Sequence, residues 1–278
     1  MRKRSLLLPL IGATLAAQDA TEKELLDLLN TPVTVASAKA TTLRESPGVI
    51  TVLSHEEIQA SGARDLIDVL RLVPGFDFGY DVEGSTGLFA RGLWAYEGKA
   101  LLLVDGIEMP ELLYGNTLFG HRFPIDQIKR LEIIRGPGSA IYGGLAELAV
   151  IKVVTLQGED LTSGLPGKAA VGGMFGSASG KARGAWSALL APDLGGDRKL
   201  TAALFSDDGR RSPFTFTDFD GSKKDAGELS PTRSRMANLG YSSGAFSFRG
   251  LVEDYRIQDP SSAAPATSTR SFSSQNAD

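Results

Sequence analysis

From about residue 168 to residue 257, apolar residues stop recurring at helical spacing and begin to alternate with small or polar ones. A period of two fits a strand whose faces meet different surroundings. Phe246, Phe248 and Val252 fall on one face of such a segment, and Ser247, Arg249 and Glu253 on the other. Five strands are expected, at 169–175, 181–190, 199–205, 235–241 and 245–257. Gly195-Gly196-Asp197 and Ser242-Ser243-Gly244 read as tight turns, and 207–234 as a long polar loop holding Arg210, Arg211, Lys223 and Lys224. Tight turns at one end and long loops at the other are the habit of a transmembrane β-barrel. No segment has the ~20 consecutive apolar residues of a spanning helix, so a membrane location implies a barrel. Five strands do not close one, since about eight are needed. The Ser-, Ala- and Thr-rich tail from Pro260 reads as an extracellular loop cut short, and the chain is expected to be a fragment with an incomplete barrel.

The other end of the chain indicates export. Arg2, Lys3 and Arg4 precede a short apolar run over 5–15, and Leu15-Ala16-Ala17-Gln18 supplies small residues for cleavage. Residues 1–17 have the shape of a signal peptide. Cleavage would leave a chain more acidic than the net −4 of the whole, with no general attraction for nucleic acid. With no Cys, disulfides and thiolate metal sites are excluded.

Between these ends lies a mixed α/β pattern. Residues 18–30 read as a helical segment, with a capping box at Thr21-x-x-Glu24. A β-branched strand over 49–53 leads into a helix capped by Ser54 and Glu57 and ending at Gly62. Leu66, Ile67, Leu70 and Val73 follow at helical spacing up to Pro74-Gly75. Further strands are expected at 100–104, closed by Asp105-Gly106, around 128–134, and at 150–154. The fold class expected is therefore an α+β domain, a small mixed sheet with short helices, followed by antiparallel barrel strands.

The run from Ile128 through Glu132, Arg135, Gly136-Pro137-Gly138 and Ser139 to Tyr142-Gly143 resembles the signature of TonB-dependent receptor plug domains. Leu103-Val104-Asp105-Gly106-Ile107 is similar to that family's LVDGV turn, and Phe89-Ala90-Arg91-Gly92-Leu93 to its IRG strand. The stretches 46–52, 58–62 and 68–75 also resemble plug landmarks, in order. The resemblance places a plug domain at 31–157 and barrel strands at 168–278. Lys152 departs from it, standing where the family usually has Asn.

The resemblance implies a 22-stranded barrel with a plugged lumen in the outer membrane of a Gram-negative bacterium. It would take up a scarce ligand, by default a ferric siderophore, with cobalamin, haem or an oligosaccharide as alternatives. The implied partners are TonB with its inner-membrane energising complex, outer-membrane lipid and the ligand, with no cofactor and no covalent chemistry. Pro32, Val33, Thr34, Val35, Ala36 and Ser37 resemble a TonB box, an extended segment suited to strand pairing. Val33 to Ala36 read equally as the first strand of the plug.

The segments 77–87 and 108–122 sit where apical loops are expected, and they offer Tyr80, Tyr114, Asn116, Phe119 and His121 as ligand contacts. An ordinary solvated loop, or packing between plug and wall, is the competing reading for each. Trp94 and Tyr96 are weaker candidates. Buried charges require partners, so Arg91, Glu132 and Arg135 are expected to hold the plug against the barrel. The glycines at 136–144 lack the Lys-Ser or Lys-Thr of a phosphate loop. Ser139 lacks the frame of a nucleophile elbow, and two His residues, His55 and His121, are poor material for a triad or metal site. A pore-less periplasmic plug-like binding or signalling module and, more distantly, a hydrolase using Ser139 remain the other readings.

Overall fold

The structure, a computed structural model, describes residues 32–33, 35, 41–42, 48–80, 86–111, 115–161, 168–178, 181–210, 215–217, 221–225, 231–258 and 265–277. The signal region 1–17, the helical segment 18–30, Thr34, Ala36, Ser37, Tyr114, Arg211 and the Tyr80 side chain lie outside the described residues.

A short antiparallel pair, β1 (Pro32–Val33) and β2 (Thr41–Thr42), comes first. β3 (Ile50–Ser54) runs into α1 (His55–Ala60), where Ser54 and Glu57 form the expected capping box. Asp65 caps α2 (Leu66–Leu70) by accepting from the Asp68 N–H at 3.0 Å. A three-stranded antiparallel sheet follows: β4 (Phe76–Tyr80), β5 (Thr86–Ala90) and β6 (Leu93–Trp94). Then come β7 (Ala100–Val104), β8 (Ile107–Glu108), a 3-10 turn at Ile125–Gln127, β9 (Ile128–Ile134), α3 (Ser139–Tyr142) and β10 (Ala149–Thr155).

The central sheet has the order β3-β9-β10-β7-β8, with β10 and β7 parallel and the other pairs antiparallel. Both of its faces are covered, which is why Ala100–Val104 is an unbroken apolar run rather than an alternating one. Leu102, Ile133, Ile151 and Val153 pack with Leu66, Leu70 and Ile58 of the helices. On the opposite face, Leu101, Leu103, Ile134 and Val150 pack with Val35.

The wall is a second sheet of six antiparallel strands in sequence order. These are β11 (Lys168–Ala178), β12 (Lys181–Ala191), β13 (Lys199–Arg210), β16 (Pro231–Ser243), β17 (Phe246–Gln258) and β18 (Pro265–Ala277). Between β13 and β16, the hairpin β14 (Thr215–Thr217) and β15 (Lys223–Asp225) stands apart. Two expectations are corrected here. The expected loop at 207–234 is shorter, because its ends extend β13 and β16 and its middle holds that hairpin. The tail taken for a loop is a sixth strand, paired with β17 from Phe246↔Ala277 to Gln258↔Pro265. The segment lacks the apolar alternation that marks a strand, but an exposed ladder of unpaired backbone groups on β17 is reason enough for it to pair.

The register sorts the wall into two surfaces. Val171, Ala188, Leu204, Ala237 and Val252 lie side by side across β11, β12, β13, β16 and β17, forming an apolar row that faces away from the plug. Val171, Phe175, Trp186, Leu190, Leu204, Leu239, Phe246 and Val252 are all exposed on this outward side. Near the tight turns, Tyr241 is paired with Phe248 and its ring lies 6.3 Å from that of Phe246, an aromatic fringe of the kind found at a bilayer interface. The inward side carries Phe205, Met236, Leu251, Glu253 and Tyr255, all buried against the plug. No helix among the described residues is long and apolar enough to cross a membrane.

Ile151, fully buried at the centre of the plug sheet, provides a test of this core. Ile151→Ala is expected to destabilise the plug by about 2–5 kcal/mol. Denaturant titration followed through Trp94, which packs edge-on against Phe89 at 4.5 Å, reads that change.

Candidate functional site

The chemistry of the molecule is concentrated where the plug meets the inward side of the wall. Close approach depends on missing side chains: a Cβ on Gly172 of β11 would come within 1.9 Å of an Asp126 carboxylate oxygen. At that point the Ser187 hydroxyl donates to Asp126, and the Gln127 side-chain amide donates to the carbonyls of Ala188 at 3.0 Å and Leu204 at 3.3 Å. The 3-10 turn thus hydrogen-bonds directly to two wall strands.

The strongest single contact is an ion pair with both partners 1 % exposed. Arg122 Nε donates to Glu253 Oε1 at 2.7 Å and Nη2 to Oε2 at 2.5 Å, while Nη1 reaches the Leu118 carbonyl. The guanidinium lies 5.0 Å from the Tyr255 ring centroid and 5.3 Å from that of Phe123. Burial alone would lower the Arg122 pKa, but the charge and hydrogen bonds of Glu253 outweigh it, and the net shift is upward. Beside this pair, the Tyr255 hydroxyl donates to the Phe119 carbonyl at 3.3 Å.

Toward the tight turns, Asp105 gathers a second set of bonds. It stands at φ 49°, a left-handed turn conformation that Asp tolerates better than most residues. Its carboxylate accepts from the Thr155 N–H at 2.9 Å and the Thr155 hydroxyl at 2.6 Å. From the wall it accepts Asn238 Nδ2 at 3.0 Å and Arg249 Nη1 at 2.5 Å. Below it a cavity of about 950 Å³ opens between the plug sheet and the turn ends of the wall. Arg130, Lys152, Lys168, Arg198, Lys199 and Arg249 line it, against Asp105, Glu159 and Asp193. Lys152 sits in register with the fully buried Glu132, and burial draws its pKa down although the Glu132 charge resists.

Toward the long loops a third cluster forms around His121, whose side chain is 15 % exposed. Nε2 is 3.5 Å from Asp65 Oδ2, and Nδ1 is 3.6 Å from Asp207 Oδ1. Arg183 closes the group, donating to Asp207 Oδ2 from Nε at 3.0 Å and from Nη2 at 2.8 Å. Burial, followed by the Arg183 and Arg64 charges, outweighs the Asp68 carboxylate and lowers the His121 pKa to about 3. Burial also raises the Asp65 carboxyl.

Asn116, Phe119 and His121 are enclosed by the plug and wall. Asn116 Oδ1 accepts from the Glu97 N–H at 2.7 Å, and Phe119 meets Phe78 edge-on at 5.1 Å. Arg91 and Arg135 make their hydrogen bonds within the plug, Arg91 to the Arg135 carbonyl and Arg135 to the Pro74 carbonyl. Glu132 accepts from Arg130 at 2.8 Å. The plug side chains that make polar contacts with the described wall include Asp65, Asp105, His121, Arg122, Asp126, Gln127 and Gln157. Sequence reasoning offered plug–wall packing as the competing reading for His121 and assigned a wall contact to none of the others. For Arg122 a signal existed: the alternation that sets Glu253 on a polar, inward strand face calls for a cation opposite it.

Two outcomes follow. Arg122→Met, by stranding Glu253, is expected to cost about 3–5 kcal/mol, and the double variant Arg122→Met/Glu253→Met much less; a double-mutant cycle in denaturant measures this. Because His121 is neutral in the fold well below its ordinary value, the unfolded chain takes up the proton first. Stability is therefore full above pH ~6.5 and falls as the pH drops toward 3, by about 2 kcal/mol at pH 5. Asp65 has the opposite tendency at lower pH, so the difference between wild type and His121→Gln between pH 7 and 5 isolates the imidazole.

Comparison with known proteins sets this geometry in context. The TonB-dependent Receptor Plug Domain matches residues 42–147. Over 132 residues, 47 % of the chain, the sequence is 36 % identical to the vitamin B12 transporter BtuB of Vibrio vulnificus (strain CMCP6), covering 21 % of that protein. Over 163 residues, 56 % of the chain, it is 31 % identical to the iron-regulated outer membrane virulence protein of Vibrio cholerae serotype O1 (strain ATCC 39541), covering 24 % of it. The chain thus spans between a fifth and a quarter of the length of these relatives. In fold it is similar to the FrpB iron transporter of Neisseria meningitidis in its apoprotein form. That likeness has a TM-score of 0.57 at 18 % identity and covers 81 % of this chain and 36 % of that one.

Proposed function

From the premise that the chain belongs to the TonB-dependent receptors, carrying their plug domain and part of a barrel wall, we propose that it gates uptake of a scarce ligand across the outer membrane. The observation that carries this reading is the two-sided wall. Its outward rows are apolar, while its inward side holds a plug by buried polar contacts. A pore-less periplasmic module has no use for Val171, Leu204 and Val252 in one solvent-facing row.

In this reading residues 1–17 direct export and are removed. The ligand is bound by the loops at the long-loop end, with Tyr80 and Tyr114 as direct contacts and Asn116, Phe119 and His121 supporting them from beneath. TonB, driven by its inner-membrane complex, engages the segment Pro32–Ser37 by strand pairing. Val33 and Val35 are fully buried, so the pull acts on a segment packed on the plug. Arg91, Glu132 and Arg135 stiffen the plug for that pull through their bonds within it. The ligand class is a ferric siderophore. The iron-related names of two similar proteins support it, the B12 transporter supports cobalamin as the alternative, and the cationic cavity suits an anionic chelate leaving toward the periplasm. No covalent step is involved.

The test is growth of the producing bacterium, with and without the gene, on ferric siderophores or cobalamin as limiting nutrient, alongside membrane fractionation. Loss of siderophore-dependent growth, with the product in the outer membrane, is expected. A soluble periplasmic product with unchanged growth would instead favour the binding module.

A further inference from the structure

The cavity of about 950 Å³ below Asp105 lies at the tight-turn end of the wall, which is the periplasmic end of an outer-membrane barrel. Its charges do not balance. Arg130, Lys152, Lys168, Arg198, Lys199 and Arg249 line it, against the carboxylates of Asp105, Glu159 and Asp193. Glu132, fully buried, adds one more carboxylate behind Arg130. Counted together, six cations face four carboxylates, a net charge of +2. Three pairs form within the set: Arg249 with Asp105, Lys199 with Glu159 at 2.6 Å, and Arg130 with Glu132 at 2.8 Å. Lys152, in register with Glu132, draws on a carboxylate that Arg130 already holds. Arg198 donates to the Leu194 and Gly195 carbonyls, which offset no charge.

The cations stand on both sides of the gap. Lys152 is on β10 of the plug, while Lys168 opens β11 and Arg198 closes the turn before β13 of the wall. Like charges across a gap work against seating the plug, so holding the plug does not account for them. An anion between them does. We propose that this cavity is a second, exit-side seat for the transported ligand, and that the ligand is a multiply anionic iron chelate with its charge on carboxylate or catecholate oxygens. Lys152 is the selecting residue, partly buried on a central strand of the plug sheet at the floor of the cavity. Cations along a passage favour anions, and a seat open to solvent holds them weakly enough to release them. The same charge has no use for a neutral ferric trihydroxamate or for cyanocobalamin. The inference rests on the receptor reading above and narrows its ligand class.

The test measures uptake of labelled ligand by the bacterium that produces the receptor, with Lys152→Asn, Lys152→Arg and Lys168→Gln/Arg198→Gln each replacing the native gene. Two quantities are read: equilibrium binding to de-energised cells, which reports the outer face, and the saturated uptake rate of energised cells. The probes are ferric dicitrate, a ferric tricatecholate, a neutral ferric trihydroxamate and cyanocobalamin. For an anionic chelate, Lys152→Asn and the double variant are expected to bind as wild type does and to lose uptake roughly fivefold or more. Lys152→Arg is expected to keep most of it. Unchanged outer-face binding shows that a variant is folded and in place, and the double variant, confined to the rim, carries the test if Lys152→Asn does not fold. A wild-type uptake rate in the double variant overturns the proposal. So does an equal loss for a neutral probe, a loss of binding in the double variant that matches its loss of uptake, or a wild type that transports neutral probes alone. Each of these leaves the receptor reading standing, whereas a wild type that transports none of the probes overturns both.

Discussion

A strand that separates two unlike surroundings has only one way to serve both, by assigning odd and even residues to opposite sides, and the wall of this molecule is built on that constraint. Because the period is two, a slip of one residue would turn Glu253 and Arg249 outward and bring Phe248 and Val252 against the plug. The register is therefore set less by the backbone ladder than by what each face must touch. The buried partner of Glu253 is Arg122, and the partner of Arg249 is Asp105. The polar contacts of the plug act as pins that hold the wall in register, while the outward apolar rows make the slipped alternatives costly.

The same constraint explains why the interior boundary is polar at all. Two apolar surfaces would bind the plug more tightly but would tolerate sliding, whereas directional bonds to Ala188, Leu204, Asn238 and Glu253 accept one seating. Gly172 and Gly120 have the complementary role. At each, an added carbon would collide with a side chain from the opposite body, Asp126 in one case and the Tyr255 hydroxyl in the other. The fit consists of paired charges where atoms are present and glycine where they must be absent.

Much of the fold could be read from the residues. The capping box at Ser54, the turn at Asp105-Gly106 and the strand Ala100–Val104 are local signals, and the structure has all three. The alternation of the wall was equally legible, because lipid-facing and lumen-facing positions leave a direct trace in composition. The strand Pro265–Ala277 was not, since it lacks apolar alternation and has poor strand formers at its ends, Pro265 at one and Asn276 near the other, so the pairing is imposed by the neighbouring ladder. The site was the least legible part. His121 reads as a loop residue in sequence, yet it is enclosed by Asp65, Asp207 and Thr232, brought from three elements far apart in the chain. Such convergence is a property of tertiary packing, and no local pattern announces it.

The pairing of the plug sheet also bears on how the chain must assemble. Each wall strand is bonded to its sequence neighbour, and most of these ladders can close as hairpins soon after both strands are present. The plug sheet has no such shortcut: Ile50 lies beside Ile134, and Ala100 lies parallel to Ala149. Contacts of that span are slow to form, because a long loop must be closed before any of them rewards the closure. Until Ile134 has been delivered β3 has no neighbour, and until Thr155 has been delivered β7 has only the two-residue β8 beside it, so their apolar residues are open to pairing with other chains. The order of synthesis thus runs against the order of assembly: the first half of the molecule waits for its own last strand, and the wall around it forms more readily than the body it encloses.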